Sequence, residues 1–261
     1  MDNPLRTVIP SGQNGFQYDP DSSPLIWKAN AQNYKSKYKL YSEFNFKSPE
    51  YYFNRPDINS DCNRLFVFAK DEKKFEANPH VFRLGGDTDW NFQDENKCWK
   101  NKFGKLNKLI TKEELKKRLL QCNNMHHTPL NFSIMPPTGN MQGVKSIGYG
   151  DWLDRFDSFA SIVNDYYTGH SNMLLTGNDS NQKMTKEQKE ANRKSIEKYL
   201  SYFDNVYDYF EQHYFINNRD FIKRLIESGK KKIEKQNDVE RYISLAEEYW
   251  NLKEEYLTRL K

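Results

Sequence analysis

Between Asn131 and Asp157 the chain reads N-F-S-I-M-P-P-T-G-N-M-Q-G-V-K-S-I-G-Y-G-D-W-L-D-R-F-D, and this stretch gathers side chains able to hold an anion. Asn131 and Ser133 alternate with apolar residues, Lys145 follows in a glycine-rich run, and Arg155 stands between Asp154 and Asp157. Amides and hydroxyls orient a ligand, while lysine and arginine neutralise phosphate or carboxylate. A second constellation is Arg83 with Gly85, Gly86 and Asp87. An arginine leaving a strand end beside two glycines suits an anionic ligand, or else a hairpin turn whose arginine pairs with Asp154 or Asp157. If Arg83, Asn131 and Arg155 share one pocket, two guanidiniums converge near a helix N-terminus, which is unfavourable without an anion. Either Asp87, Asp154 and Asp157 supply it, or a phosphate-bearing ligand does.

Three further patterns could carry chemistry. Residues 97–118 hold nine basic residues against two acids, a local charge of +7 in a chain of net +4. Trp99 and Phe103 interleave Lys97, Lys100, Lys102, Lys105 and Lys108. That spacing fits phosphate tracking with base stacking, or a solvated basic face. Asp61 with Glu72-x-Lys74, and Asp87 with Glu95-x-Lys97, resemble the acid and E-x-K of the PD-(D/E)xK nucleases, where carboxylates hold Mg²⁺. That resemblance is confined to the spacing, because Glu72 and Glu95 fall in charged turns rather than on strands. His126-His127 precede Asn131 and Ser133 and could form a base and nucleophile, or cap the helix before them. The other histidines are scattered, so no metal site is expected, and no cofactor is indicated.

The elements that must position these residues follow from local patterning. Residues 131–135 suit a half-buried strand, and Pro136-Pro137 end it. Gly139, Gly143, Gly148 and Gly150 make a permissive loop. A helix is predicted over Asp151–Tyr167, with Asp151 as N-cap and Asp154 at the capping-box position. The segments N-F-S-I-M-P-P-T-G-N at 131–140 and D-R-F-D at 154–157 resemble those of a bacterial family of unknown function. Its members carry an N-F-S-L-M-P-x-T-G strand, a D-R-x-D helix start and a tyrosine-rich helix ending near a segment like Tyr207–Phe215. The resemblance covers about residues 80–261 and implies only that 131–157 is a unit.

Elsewhere, residues 1–23 read as an irregular arm, a helix opens at Ser23-Pro24, and 42–63 form an extended edge or a long loop. Arg64–Lys70 is the strongest strand by composition, and His80–Leu84 is a second. Thr111 and Glu114 make a capping box for a helix whose apolar face is Leu115, Leu119, Leu120 and Cys122. Residues 168–184 read as a mobile loop. Thr185 with Gln188 caps a long helix with an aromatic stripe running to Tyr214, where Asn217-Asn218 break it. A short helix over 219–228 stops at Gly229, and a last one runs from Asp238 to Leu260 with Asn237 as N-cap.

Strands in the first half and helices in the second predict one α+β domain over 1–261. A small mixed or antiparallel sheet would pack on a helical layer spanning 151–261. Aromatics make up 15 % of the chain, enough to build a core despite 36 % hydrophobic residues and a mean hydropathy of −0.99. Three scattered cysteines without a CxxC favour a reducing, cytoplasmic setting, and the N-terminus shows no signal peptide. No membrane span is expected. The sequence-level expectation is a bacterial or phage accessory protein that binds, or binds and hydrolyses, a nucleic acid or nucleotide. A role in phage defence such as abortive infection fits the Asn-, Lys-, Tyr- and Phe-rich usage. The alternative is a non-catalytic protein–protein interaction module using its aromatic helices.

Overall fold

Phe66 sits at the centre of an aromatic core built by residues far apart in sequence. Its ring lies 5.4 Å from Phe156, 5.3 Å from Tyr242, 5.5 Å from Tyr249 and 6.1 Å from Trp250. The computed structural model describes Arg6, 62–66, 68–69, 81–84, 89–91, 99–100, 106–107, 113–125, 128, 130–134, 155–170, 173–176, 185–233 and 236–259. Most of these residues are helical: α1 (Glu113–Met125), α2 (Phe156–Thr168), α3 (Met173–Thr176), α4 (Lys186–Leu200), α5 (Val206–Tyr214), α6 (Arg219–Gly229) and α7 (Gln236–Arg259).

Extended segments are two to four residues long: β1 (Cys62–Arg64), β2 (Phe68–Ala69), β3 (Val81–Leu84), β4 (Asp89–Asn91), β5 (Trp99–Lys100), β6 (Leu106–Asn107) and β7 (Phe132–Ile134). They pair as three separate antiparallel sheets, β1 with β7, β3 between β2 and β4, and β5 with β6. The expected α+β fold is therefore corrected. The described body is mainly helical, and among the described residues no sheet layer underlies the helices. The cause shows at the strongest predicted strand, 64–70. The chain bends at Leu65, and Phe66 leaves the ladder to make a single antiparallel bridge with Arg155. The aromatic and β-branched content of that segment serves burial among helices, where Leu65, Phe66 and Phe68 are all inaccessible.

Local capping chemistry explains several helix starts. Thr185 and Gln188 form the predicted reciprocal capping box of α4. Asn205 accepts from two first-turn amides of α5, and Asn218 from the amide of Phe221 in α6. The predicted single helix from Thr185 to Tyr214 is thus two, interrupted over 201–205. Residues 168–184, read as a loop, contain α3, which buries Leu174. Leu120, placed on the apolar face of α1, is instead exposed at 42 %, whereas Leu115, Leu119 and Cys122 are buried. The last helix begins at Gln236, so Asn237 lies inside it.

The aromatic stripes of the C-terminal helices face inward. Phe203, Tyr209, Tyr214, Tyr249 and Trp250 are all buried. The rings meet largely edge to face, as Phe156 does with Tyr214 at 4.9 Å and Phe203 with Tyr209 at 5.0 Å. Helices α2 and α6 approach most closely at Gly229. A Cβ there would lie 2.0 Å from the carbonyl oxygen of Asp157. Gly229, read as a residue ending its helix, lies in the last turn of α6 and is required there for close approach.

Candidate functional site

Arg155 and Asn131 flank Phe66, and both are buried. Asn131 takes the place of a strand partner. Its carboxamide donates to the Phe66 carbonyl at 2.8 Å and accepts from the Phe66 amide at 3.0 Å and the Trp250 indole at 3.1 Å. A buried backbone segment that has left its ladder needs such partners, since an unpaired amide or carbonyl is costly. Asn131 therefore satisfies the core.

Arg155 precedes α2 in an extended conformation and makes no side-chain cap bond. The N-cap position expected of Asp151 belongs to Arg155. Its guanidinium holds Asp157 in a two-pronged ion pair, with Nε to Oδ1 at 3.0 Å and Nη2 to Oδ2 at 2.7 Å. It also donates to the carbonyls of Lys231 and Ser228. Asp157 further accepts from the Ser158 amide at 2.9 Å and the Ser228 hydroxyl at 2.8 Å. The acid expected to neutralise Arg155 is thus Asp157, and the pair joins the start of α2 to the end of α6.

Of the other sequence-predicted residues, the structure describes the backbone positions of four. Arg83 is on β3, where its backbone is paired with Ala69 and Asp89. Ser133 is on β7 opposite Asn63. Trp99 and Lys100 form β5, in register with Asn107 and Leu106. Asp87, Lys145, Lys97, Lys102, Phe103, Lys105 and Lys108 lie outside the described residues. So do Asp61, Glu72, Lys74, Glu95, His126, His127, Asp151 and Asp154.

A cleft of about 220 Å³ opens on the outer side of the Arg155–Asp157 pair, at the turn between α6 and α7. Its wall includes Arg224, Lys231 and Arg241, the acid Glu227, and Ser228 and Ser244. Ser228 connects the buried pair to the cleft. Its hydroxyl gives its proton to Asp157 and accepts from Arg241 Nε at 3.0 Å. Arg241 Nη1 donates to Asp238 at 2.8 Å. Arg241 Nη2 is enclosed by protein yet has no hydrogen-bond partner among the described residues. A guanidinium nitrogen in that state carries unmet hydrogen-bonding capacity, strongest for an anionic acceptor.

The other cleft charges are differently placed. Arg224 is forked onto Glu248, and hydrogen bonding to that carboxylate raises its already high pKa. Lys230, Lys231 and Lys232, in the turn after α6, are exposed and make no ion pair among the described residues. The cleft thus combines charge-compensated arginines with Lys231 in its wall, and Lys230 and Lys232 flank Lys231 in the turn. Sequence reading missed Arg241, Arg224 and Ser228. The run Gly229-Lys230-Lys231-Lys232 was the available signal.

Among the described residues no group of three or more metal-ligating side chains is present, and no helix is long and apolar enough to cross a membrane. Comparisons with family models, with curated proteins and with solved structures each found no match. The resemblance seen at residues 131–157 accordingly contributes no function.

Proposed function

We propose that this protein binds a phosphate-bearing ligand, a nucleotide or a nucleic acid, in the cleft at the α6–α7 turn. The observation that carries this reading is Arg241, held by Ser228 and Asp238 with Nη2 left without an acceptor among the described residues. A phosphate oxygen accepts two hydrogen bonds readily and would be reached by a small rotation of the side chain. Lys231 beside it adds charge to the cleft wall. The aromatic helices proposed for protein contacts bury their rings in the core, so they do not favour the interaction-module alternative.

Titration with a nucleoside triphosphate and with a labelled 20-nucleotide strand at low salt tests this reading. One of the two should bind, and Arg241→Gln should weaken it roughly ten- to a hundred-fold, the equivalent of about 1.5–3 kcal/mol for a charge-assisted hydrogen bond. Equal affinity of wild type and variant, or no binding of either ligand, overturns it.

A further inference from the structure

We infer that the ligand is a nucleic-acid strand read through its phosphates, with one phosphate in the Arg241 cleft and its neighbours on Lys230, Lys231 and Lys232. This rests on the phosphate-binding reading of the same cleft. Three observations select a polymer over a mononucleotide. The cleft, at about 220 Å³, is below the roughly 300–1,000 Å³ of sites that enclose a whole small ligand. A mononucleotide would therefore not be enclosed there, and its base and sugar would extend into solvent. Beside Lys231 in the cleft wall, Lys230 and Lys232 are exposed and without ion pairs among the described residues, and a single phosphate in the cleft would leave these two unused. Finally, the residues lining the cleft are charged, hydroxylic or aliphatic, with no ring on which a base could stack. Recognition through ammonium and guanidinium groups alone reads backbone charge and carries no base sequence.

The lysine-bearing turn is held in place from the core. Arg155 grips the carbonyls of Ser228 and Lys231 from the buried side, so the turn that bears the lysines is anchored from within. The lysines thus present charge from a braced backbone, and their substitution removes charge while leaving the core packing in place.

The experiment compares binding of a nucleoside monophosphate and of 5-, 10- and 20-nucleotide strands of two unrelated sequences, across a salt series. The proteins are wild type, Arg241→Gln and the triple variant Lys230→Ala/Lys231→Ala/Lys232→Ala. Affinity is expected to rise with strand length and to be the same for both sequences. The triple variant should flatten the plot of log affinity against log salt by roughly two to three, at about 0.7–0.9 for each phosphate no longer neutralised. A monophosphate bound as tightly as the 20-mer, with an unchanged slope in the triple variant, overturns this inference while leaving the phosphate site intact. A 20-mer bound with the same affinity and slope by all three proteins overturns both.

Discussion

Two arginines, each paired with an aspartate and each bonded to Ser228, behave differently in this fold. Arg155 is 1 % exposed, is matched prong for prong by Asp157, and directs its other donors to carbonyls at the α6 end. Arg241 has a side chain 28 % exposed, meets Asp238 through one nitrogen and Ser228 through another, and has a third without a partner. The first arrangement is closed. Every feature of it serves the joint between α2 and α6. The second is open, and its unmet donor borders a basic cleft. Burial and ion pairing separate the two arginines less clearly than the completeness of their hydrogen-bond sets does.

The contrast predicts unequal costs of truncation, and the largest is expected at the closed pair. Arg155→Ala would strand the Asp157 carboxylate in the core, and breaking a buried pair in this way costs about 3–5 kcal/mol. Arg241→Ala removes a partly exposed pair, for which about 0–1 kcal/mol is usual. Chemical denaturation of both variants checks this. Similar losses at the two sites would erase the distinction between them.

A smaller effect is expected at Gly229. A methyl group there would meet the Asp157 carbonyl at 2.0 Å, and overpacking of a tight contact costs about 1–3 kcal/mol. Since the obstructing atoms are backbone, α2 and α6 must separate for Gly229→Ala to fold. Hydrogen exchange in the first turn of α2 should rise with the loss of stability. Wild-type exchange in that turn would show that the joint is looser than the geometry implies.

The smallest effect is the coupling through Ser228. Its hydroxyl serves both aspartate and arginine, so Ser228→Ala and Arg241→Ala should be non-additive. A double-mutant cycle should return an interaction energy of about 0.5 kcal/mol, at the lower end of the range seen for residues in one network. Strict additivity would mean that Arg241 is positioned by Asp238 alone.

Much of the helical part was legible in the chain because its signals are local. Thr185 and Gln188 announce α4 through bonds three residues apart, and Asn217-Asn218 mark the break before α6. The inward faces of α5 and α7 follow from periodicity, and their aromatic residues are buried as that period requires. Asp157 was among the acids named to neutralise Arg155, again a local pairing. Segment 64–70 is a strand only in part, at Arg64 and at Phe68-Ala69, because aromatic and β-branched content describes a buried extended chain equally well in a sheet or between helices. Only the arrival of Asn131, Arg155 and Trp250 around Phe66 decided between these.

By itself the sequence determined helix limits set by caps, which helix faces are apolar, and that Arg155 has acids within reach. Only the tertiary structure decided that Arg155 is buried beneath α6, that Ser228 links it to Arg241, and that the α6–α7 turn borders a cleft. The physical reason is distance along the chain. Caps and apolar stripes are written at separations of three or four residues. The bond from Ser228 to Asp157 joins groups 71 residues apart, and their meeting depends on how closely α2 packs on α6, which is set at Gly229 by the absence of a side chain.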